Sequence, residues 1–415
     1  MNKWALIGQD IDYSLSPLIH NYLNQKYQEE ADYQICNTET FSEQLLSDYQ
    51  CGNITIPHKH AAYQFAGASN FNDQSINTFK KVGDDYQFMS TDQFGLIDTI
   101  QKMHVKYIET RLHIIFGDGA TSQMLASVLQ TNFSVPADKI YIISRKNFDI
   151  KQKPSTIDYK YFKKFLKANY VLYNTTPLGS ADKADISPFT DNEVARALAI
   201  FDVTYNPTYN RLGKQAYANR VKYINGLNML IVQAFHSYKF WTGRNVMNNY
   251  GEVKRYLHFE NCSKLVICAM PFAGKSTLFK RNRDHSCDLD SDIEAYTKQK
   301  NSEYINNNGI DAFRKVEAEV LASKLNDDDV KVIYLGGGTL TNTEAINHLS
   351  NELVIYMVVS LKTLRARFDK SRANIQSVEQ LEQLYYERDR HYRNISKFQI
   401  GARNIERIIN EYMDY

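Results

Sequence analysis

The stretch LVICAMPFAGKST occupies residues 265–277. Its apolar first half is typical of a buried strand, and its second half is nearly the phosphate-loop pattern GxxxxGK[ST]. Backbone N–H groups of such a loop surround a β-phosphate, Lys275 reaches the β- and γ-phosphates, and Ser276 binds Mg²⁺. Ala269 replaces the first glycine, so the turn has to tolerate a Cβ there. The pattern predicts an ATP site at Gly274, Lys275, Ser276 and Thr277.

Polar and glycine residues downstream of this loop predict a site for a small acid. Three aspartates fall within Asp288–Asp292, at the spacing of a second strand end, where carboxylates can hold Mg²⁺ or a hydroxyl group. Arg314 suits a carboxylate because its guanidinium binds both oxygens. The glycines Gly336, Gly337 and Gly338 follow a predicted strand and let a ligand approach the backbone. Three further arginines we interpret as exposed side chains on helices: Arg365, Arg367 and Arg393.

On these motifs, the segment from about Lys264 to Tyr392 resembles shikimate kinase. The resemblance implies that Asp292 binds the ring hydroxyls and that Arg314 binds the carboxylate together with Arg388. Arg390 is a rival for the role of Arg388. The three glycines are implied to line the same shikimate site.

The same resemblance implies a nucleotide lid and a metal. The lid arginine is Arg372, which precedes Ala373 where the family usually has proline. Mg²⁺ is expected to contact Ser276 and Asp290.

Near the start of the chain, several polar side chains precede or follow predicted elements. Ser14 and Ser16 lie in Ser-Leu-Ser-Pro before a predicted helix, where two hydroxyls can donate to a carboxylate, although alone this is an N-cap signal. Lys59, Asn77 and Asp92 follow at three predicted strand ends. A lysine, an amide and a carboxylate placed in this way could converge on one small polar ligand.

A second nucleotide site is predicted in the middle of the chain. The apolar run Leu112–Phe116 leads into Gly117-Asp118-Gly119-Ala120, which is typical of a strand that enters a dinucleotide-binding turn. After the next predicted strand comes Ser144-Arg145-Lys146. An acidic residue there would favour NAD, whereas the basic pair favours the 2′-phosphate of NADP. From this motif alone, two exposed basic residues are an equally good interpretation.

These motifs, together with Asn174–Gly179, Phe201–Pro207 and Gly226–Gln233, make the segment from about Ala5 to Gly243 similar to shikimate dehydrogenase. The resemblance implies that Lys59 and Asp92 are the catalytic pair. It implies that the substrate is bound by Ser14, Ser16, Thr55, Asn77, Tyr205 and Gln233. It implies that NADP(H) is bound by Gly117, Gly119, Ala120, Ser144, Arg145, Lys146, Thr175 and Gly226.

Departures from this second family fall mainly at the cofactor. Gln93 follows the Thr-Asp pair where the family usually has glycine, and Ser144 replaces the usual asparagine. The nucleotide turn also has fewer glycines. These differences affect the expected cofactor affinity more than the expected substrate site.

Short apolar runs alternate with helical segments along the chain, which predicts an α/β fold with parallel sheets covered on both faces. We expect a substrate-binding domain in 1–103 and 227–250, and a Rossmann-like NADP-binding domain in 104–226. A linker is expected at 251–262, followed by a kinase domain of the P-loop type in 263–415.

The composition limits the partners. The 415 residues have a formal net charge of +2, which excludes a general polyanion binder. The five cysteines form no CxxC pair, and neither a signal peptide nor an apolar run of about 20 residues is present, so we expect free thiols and a cytoplasmic location. We expect small-molecule partners and neither nucleic acid nor membrane.

The sequence therefore predicts a bifunctional enzyme with NADP(H), ATP and Mg²⁺ as cofactors. It would reduce 3-dehydroshikimate to shikimate and phosphorylate shikimate. Two alternatives stay open: one domain is a degenerate binding module, or the dehydrogenase prefers quinate. Whether Lys59 or Asp92 transfers the proton, and the oligomeric state, are also open.

Overall fold

The structure is a computed structural model that describes residues 2–67, 76–144, 154–162, 169–180, 183–207, 210–260, 262–369 and 375–413. The chain forms two compact units, Met1–Leu257 and His258–Tyr415. No helix in these described ranges is long and apolar enough to cross a bilayer.

The first sheet of the N-terminal unit has the strand order β2-β1-β3-β4-β5. β1 is parallel to β2 and β3, while β4 and β5 form an antiparallel hairpin beside β3. This arrangement brings the end of β3, the start of β4 and the end of β5 to one edge of the sheet. The strands are β1 (Asn2–Gly8), β2 (Ala31–Asn37), β3 (Cys51–Ile54), β4 (Thr78–Val82) and β5 (Asp85–Met89).

The helices around this sheet include a late segment of the chain. The late helix α9 packs on β1, where Trp4 meets Tyr238 and Trp241 in edge-to-face contacts. It also crosses α4 closely, since a Cβ on Gly95 would lie 2.6 Å from the Met229 carbonyl oxygen. The helices are α1 (Ser16–Tyr27), α2 (Glu43–Ser47), α3 (Lys59–Phe65), α4 (Asp92–Met103), α9 (Leu227–Thr242) and α10 (Tyr250–Glu260).

The segment that we expected to be a linker, 251–262, is mostly helical. Residues up to Glu260 belong to α10. Val253 and Leu257 are buried in the same core as Trp4, and Glu252 pairs with Lys26 of α1 at 2.6 Å. These contacts make residues 251–257 part of the N-terminal unit because they contribute to its core.

The second sheet of the N-terminal unit is parallel, with the order β11-β10-β9-β6-β7-β8. The order reverses between β6 and β9, which is where doubly wound sheets bind ligands. Its strands are β6 (Leu112–Phe116), β7 (Ile140–Ile143), β8 (Ser155–Ile157), β9 (Tyr170–Asn174), β10 (Ala197–Asp202) and β11 (Lys222–Asn225). Its helices are α5 (Ala120–Phe133), α6 (Tyr159–Phe162), α7 (Asp191–Ala195) and α8 (Arg211–Ala218).

The C-terminal unit has a parallel sheet with the order β13-β14-β12-β15-β16. Its strands are β12 (Leu265–Ala269), β13 (Ser286–Asp288), β14 (Val332–Tyr334), β15 (Leu353–Val358) and β16 (Phe398–Gly401). Its helices are α11 (Lys275–Arg281), α12 (Leu289–Thr297), α13 (Asn301–Asn308), α14 (Ile310–Leu325), α15 (Thr343–His348), α16 (Leu361–Ala366), α17 (Val378–Ile395) and α18 (Ala402–Met413). The predicted α/β class with parallel sheets is confirmed.

Two candidate active sites

In the N-terminal unit, Lys59 Nζ contacts the Asp92 carboxylate in an ion pair. Lys59 begins α3 and Asp92 begins α4, and both helices start at the sheet edge described above. Asp92 is 8% exposed, so little water separates the two charges. The structure therefore brings together the two residues that we expected to act as a catalytic pair.

Two buried amides surround this ion pair. Asn77 Nδ2 lies 3.0 Å from Asp92 Oδ1 and 3.2 Å from Gln233 Oε1. Asn77 comes just before β4, whereas Gln233 is on α9, so the contact joins segments 156 residues apart. The lysine, the carboxylate and the two amides form one polar cluster, which we call the Lys59 cluster.

The two serines of the Ser-Leu-Ser-Pro motif lie together beside Tyr205. Ser16 N and Ser16 Oγ are both 3.3 Å from Ser14 Oγ. The Tyr205 hydroxyl interacts with Ser14, and burial, with a smaller contribution from Tyr13, raises the Tyr205 pKa to about 12. A tyrosine with this pKa stays protonated at neutral pH and can donate a hydrogen bond to a carboxylate. Thr55 follows β3, and its methyl group faces Gly8.

The predicted dinucleotide turn lies at the reversal point of the second sheet. Gly117 has a φ of +116°, and a Cβ there would be 2.7 Å from Thr175 Oγ1, so both backbone and space require glycine. Ala120 is the first residue of α5, whose N-terminus suits a pyrophosphate. Around Gly119, by contrast, a Cβ would meet open space.

At the end of β7, Ser144 donates a hydrogen bond to Asp118 of the turn. This places a carboxylate at the strand end where the ribose of a dinucleotide is expected. Arg145 and Lys146 lie outside the described residues. Gly226, expected near NADP, packs its backbone directly against the Val203 carbonyl, and this close approach accounts for a glycine there.

The motif Phe201–Pro207 contains a buried carboxylate to which we assigned no role. Asp202 accepts hydrogen bonds from Asn174, Thr204 and Asn210 at 2.8–3.0 Å. Burial raises its pKa, and the hydrogen bonds from Asn210, Thr204 and Tyr223 oppose that shift. Asp202 therefore fastens the loops after β9 and β10, the loops that carry Thr175 and Tyr205.

In the C-terminal unit, the phosphate loop lines a cavity of about 470 Å³. Ala269 ends β12, and the positive φ angles fall at Phe272 (+64°) and Gly274 (+100°). The substitution that we noted at Ala269 thus falls in extended backbone, where a Cβ causes no strain. Lys275 Nζ lies 2.9 Å from Asp288 Oδ2, and both side chains are about 10% exposed.

Each of the three consecutive glycines lies against at least one polar side chain. A Cβ on Gly336 would be 2.5 Å from Asp290 Oδ1, and a Cβ on Gly338 would collide with the Arg314 guanidinium. Arg388 donates to the Gly337 carbonyl oxygen, as does the hydroxyl of Tyr392. We call this set the triple-glycine cluster: Gly336, Gly337, Gly338, Asp290, Arg314, Arg388 and Tyr392.

The buried Glu317 holds the Arg314 guanidinium of this cluster in place. Glu317 pairs with Arg314 at 2.6 Å and accepts from Thr339 Oγ1 at 2.8 Å.

Tyr392 was not predicted as a site residue. It follows Arg388 by four residues and so lies on the same face of α17. Burial raises the Tyr392 pKa to about 12, while the nearby Arg388 opposes the rise.

The structure does not bring Asp292 to the triple-glycine cluster, contrary to our expectation. Asp292 Oδ1 faces Lys324 Nζ at 3.8 Å instead. Both Asp290 and Asp292 are on α12, and residues two apart on a helix are rotated by about 200°, onto opposite faces. Only Asp290 can therefore face the glycines from this helix, and it also lines the cavity of the phosphate loop.

Arg367, at the C-terminal cap of α16, is exposed as we expected, but it also contacts the phosphate loop. Its guanidinium donates to the Ala273 carbonyl oxygen at 3.0 Å and lines the cavity of the phosphate loop. Arg365 and Arg393 pair with acids on α17, Glu382 and Asp389, at 2.6 and 2.7 Å. Arg372 lies outside the described residues, and the side chain of Arg390 is not described.

The residues expected to hold Mg²⁺ fit a metal that arrives with a nucleotide. Proteins usually bind Mg²⁺ through one or two carboxylates together with substrate phosphates. Ser276 and Asp290 line the same cavity and supply a hydroxyl and a carboxylate. The phosphate oxygens would complete the coordination.

Comparison with protein families assigns a separate match to each end of the chain. Residues 6–78 match the family of the shikimate dehydrogenase substrate binding domain, and residues 272–415 match the shikimate kinase family. The NADP(+)-dependent shikimate dehydrogenase of Caldanaerobacter subterraneus subsp. tengcongensis is 25% identical over 265 residues, covering 58% of this chain and 91% of that protein. That of Clostridium beijerinckii is 27% identical over 255 residues, covering 58% and 92%.

Solved structures share the fold of the N-terminal part. A chorismate mutase/shikimate 5-dehydrogenase fusion protein from Clostridium acetobutylicum has a TM-score of 0.54 at 23% identity, covering 63% of this chain and 98% of that one. Shikimate dehydrogenase 1 from Peptoclostridium difficile has a TM-score of 0.52 at 22% identity, covering 62% and 98%.

Proposed function

Because this chain carries a shikimate dehydrogenase domain at its N-terminal end and a shikimate kinase domain at its C-terminal end, we propose that it catalyses two consecutive reactions. The first is the NADPH-dependent reduction of 3-dehydroshikimate to shikimate. The second is the ATP-dependent phosphorylation of shikimate. The observation that carries the proposal is that one chain holds both the Lys59 cluster and the triple-glycine cluster.

For the reduction, NADPH supplies the hydride to the ring ketone. The ketone oxygen gains negative charge as the hydride adds, and the Lys59 ammonium stabilises that charge. Asp92 orients Lys59 through the ion pair, and the proton that neutralises the alkoxide comes from this pair. Asn77 and Gln233 bind ring hydroxyls, while Ser14, Ser16 and Tyr205 bind the carboxylate of the substrate.

For the phosphorylation, ATP supplies the phosphoryl group. Lys275 and the N–H groups of the phosphate loop bind its phosphates. Arg314 and Arg388 bind the shikimate carboxylate beside the glycines. We assign to Asp290, rather than to Asp292, the task of accepting the proton of the attacking hydroxyl, because Asp290 belongs to both the cavity and the triple-glycine cluster.

Arg367, whose guanidinium lines the cavity of the phosphate loop, is proposed to bind the nucleotide. Its contact with the Ala273 carbonyl keeps the guanidinium at the cavity wall. The proposed location of the protein is the cytoplasm, where its five free cysteines would stay reduced. Its proposed partners are small molecules.

A two-step assay tests the proposal. Full-length protein is given 3-dehydroshikimate, NADPH, ATP and Mg²⁺, and both NADPH oxidation and shikimate 3-phosphate are measured. Lys59→Ala should lower the reduction rate by about 10²- to 10⁴-fold and leave phosphorylation of added shikimate intact. Lys275→Ala should lower the rate of shikimate phosphorylation and leave the reduction of 3-dehydroshikimate intact. The proposal fails if the wild-type protein shows neither activity above a variant with both substitutions.

A further inference from the structure

We propose that Ser237, a buried serine on α9, is a positioning residue for the substrate amides of the Lys59 cluster. The inference rests on the proposed dehydrogenase function and adds a residue outside the predicted site. Ser237 lies one helical turn after Gln233 and is fully buried. Its hydroxyl is 2.9 Å from Asn53 Nδ2 and 3.0 Å from Thr91 Oγ1.

Backbone groups fix the orientation of the three amides around Ser237. The Asn77 carbonyl oxygen can only accept, so the atom of Asn53 at 3.1 Å from it is a donating Nδ2. The Thr91 N–H can only donate, so the atom of Asn77 at 2.6 Å is an accepting Oδ1. By the same reasoning, the Gln233 Nε2 faces the Leu230 carbonyl oxygen at 3.1 Å.

The fixed amides are compatible with one direction of donation through the two hydroxyls. Because Asn53 donates to Ser237 Oγ, the single proton of Ser237 is free to point at Thr91 Oγ1. When Thr91 accepts from Ser237 in this direction, and from Asn77 Nδ2 at 2.9 Å, its own proton is left for Asn77 Oδ1, 3.2 Å away, or Gln233 Oε1, 3.4 Å away. The result is a directional chain of hydrogen bonds from Asn53 through Ser237 and Thr91 to the two amides.

This chain supplements the backbone contacts that orient the two substrate amides, Asn77 and Gln233. The single Thr91 proton can donate to one of the two amide oxygens at a time, and both oxygens lie on the side of Thr91. Ser237 and Thr91 are fully buried, so water does not reach them to take over a lost contact. Removing the Ser237 hydroxyl would leave an Asn53 N–H without its acceptor and free the Thr91 proton to rotate. Substrate binding should weaken although Ser237 touches no substrate.

The test compares three variants of the full-length protein by NADPH oxidation without ATP, so that the kinase site takes no part. Ser237→Ala should raise the KM for 3-dehydroshikimate by roughly fivefold to tenfold, the equivalent of about one lost hydrogen bond, with a smaller change in kcat. The KM for NADPH should stay unchanged. Ser237→Thr, which keeps a hydroxyl, should recover most of the wild-type KM.

Thr99→Val is the matched control, because Thr99 is a fully buried hydroxyl that accepts from Asn228 at 2.8 Å but is not linked to the Lys59 cluster. It should lower the thermal midpoint as much as Ser237→Ala while leaving the KM for 3-dehydroshikimate unchanged. A folded Ser237→Ala protein with the wild-type KM would overturn the positioning role and leave the dehydrogenase function standing. A wild-type protein that oxidises no NADPH would overturn both.

Discussion

Lys275 Nζ lies 2.9 Å from Asp288 Oδ2. This ion pair distinguishes Asp288 from Asp290 and Asp292, which have other partners. Asp288 ends β13 and is held by the lysine of the phosphate loop. Asp290 faces Gly336, and Asp292 faces Lys324 on the other side of α12. Only Asp290 is therefore placed to meet both a nucleotide and a ring hydroxyl.

Asp290→Asn should lower kcat/KM for shikimate phosphorylation by about 10²-fold or more, since it removes the proposed proton acceptor. Asp292→Asn is the matched control, two residues away, and should keep kcat/KM within about threefold because its partners, Lys324 and Cys287, are not part of the triple-glycine cluster. The rate of NADPH oxidation by each preparation checks the amount of active protein. Equal losses in both variants, or a loss only in Asp292→Asn, would contradict the assignment.

Arg367→Ala should raise the KM for ATP by roughly tenfold, because a charge-assisted contact at the cavity wall is lost. Arg365→Ala, two residues earlier, removes an equal charge and only the exposed pair with Glu382. It should leave the KM for ATP unchanged. The KM for ATP of each variant is measured by steady-state phosphorylation at saturating shikimate. The interpretation of Arg367 would be wrong if the two variants had the same KM.

The local motifs were sufficient to predict the α/β class with parallel sheets. The phosphate loop depends on a strand, a turn and a helix that are adjacent in sequence, so its pattern is visible without tertiary information. Spacing alone did not distinguish Asp290 from Asp292, because both fit a strand end and only the rotation of α12 separates them. The face of α12 on which each aspartate lies depends on the residue at which the helix begins. That residue is Leu289, and the sequence pattern did not predict it.

Contacts between segments far apart in the chain could not be predicted from the sequence. Arg367 meets Ala273, 94 residues earlier, so nothing in its own neighbourhood distinguished it from Arg365. Ser237 could have been placed near Gln233, since residues four apart share a helix face. Its pairing with Asn53, 184 residues away, required the packing of α9 on the first sheet.

Asp118→Asn should raise kcat/KM for NADPH relative to NADH by roughly fivefold. Ser144 donates to the Asp118 carboxylate at the end of β7, where the 2′-phosphate of NADP is expected, and two negative charges there repel each other by an energy on the order of 1 kcal/mol. Asp138→Asn removes the same charge from a surface turn and should leave the ratio unchanged. A ratio unaffected by Asp118→Asn would show that this carboxylate does not act on the 2′-phosphate.

Two buried histidines should make the N-terminal unit less stable in mild acid. Burial lowers the pKa of His20 to about 3 and that of His113 to about 4, from an ordinary value of 6.5. Between these values the unfolded chain binds protons that the folded unit does not, so the free energy of unfolding falls as pH falls from 6.5 toward 4. Each histidine should contribute a slope of about 1.4 kcal/mol per pH unit.

Tryptophan fluorescence in urea can measure this slope for the N-terminal unit alone, because both tryptophans of the chain, Trp4 and Trp241, belong to it. His20→Phe keeps an aromatic ring beside Tyr33, whose ring centroid is 4.4 Å away, and removes one titrating group. It should reduce the dependence of stability on pH by about 1.4 kcal/mol per unit between pH 6 and 4.5. His60→Phe, which changes an exposed histidine, should leave the slope as in the wild type. An unchanged slope in His20→Phe would mean that His20 is protonated in the folded unit.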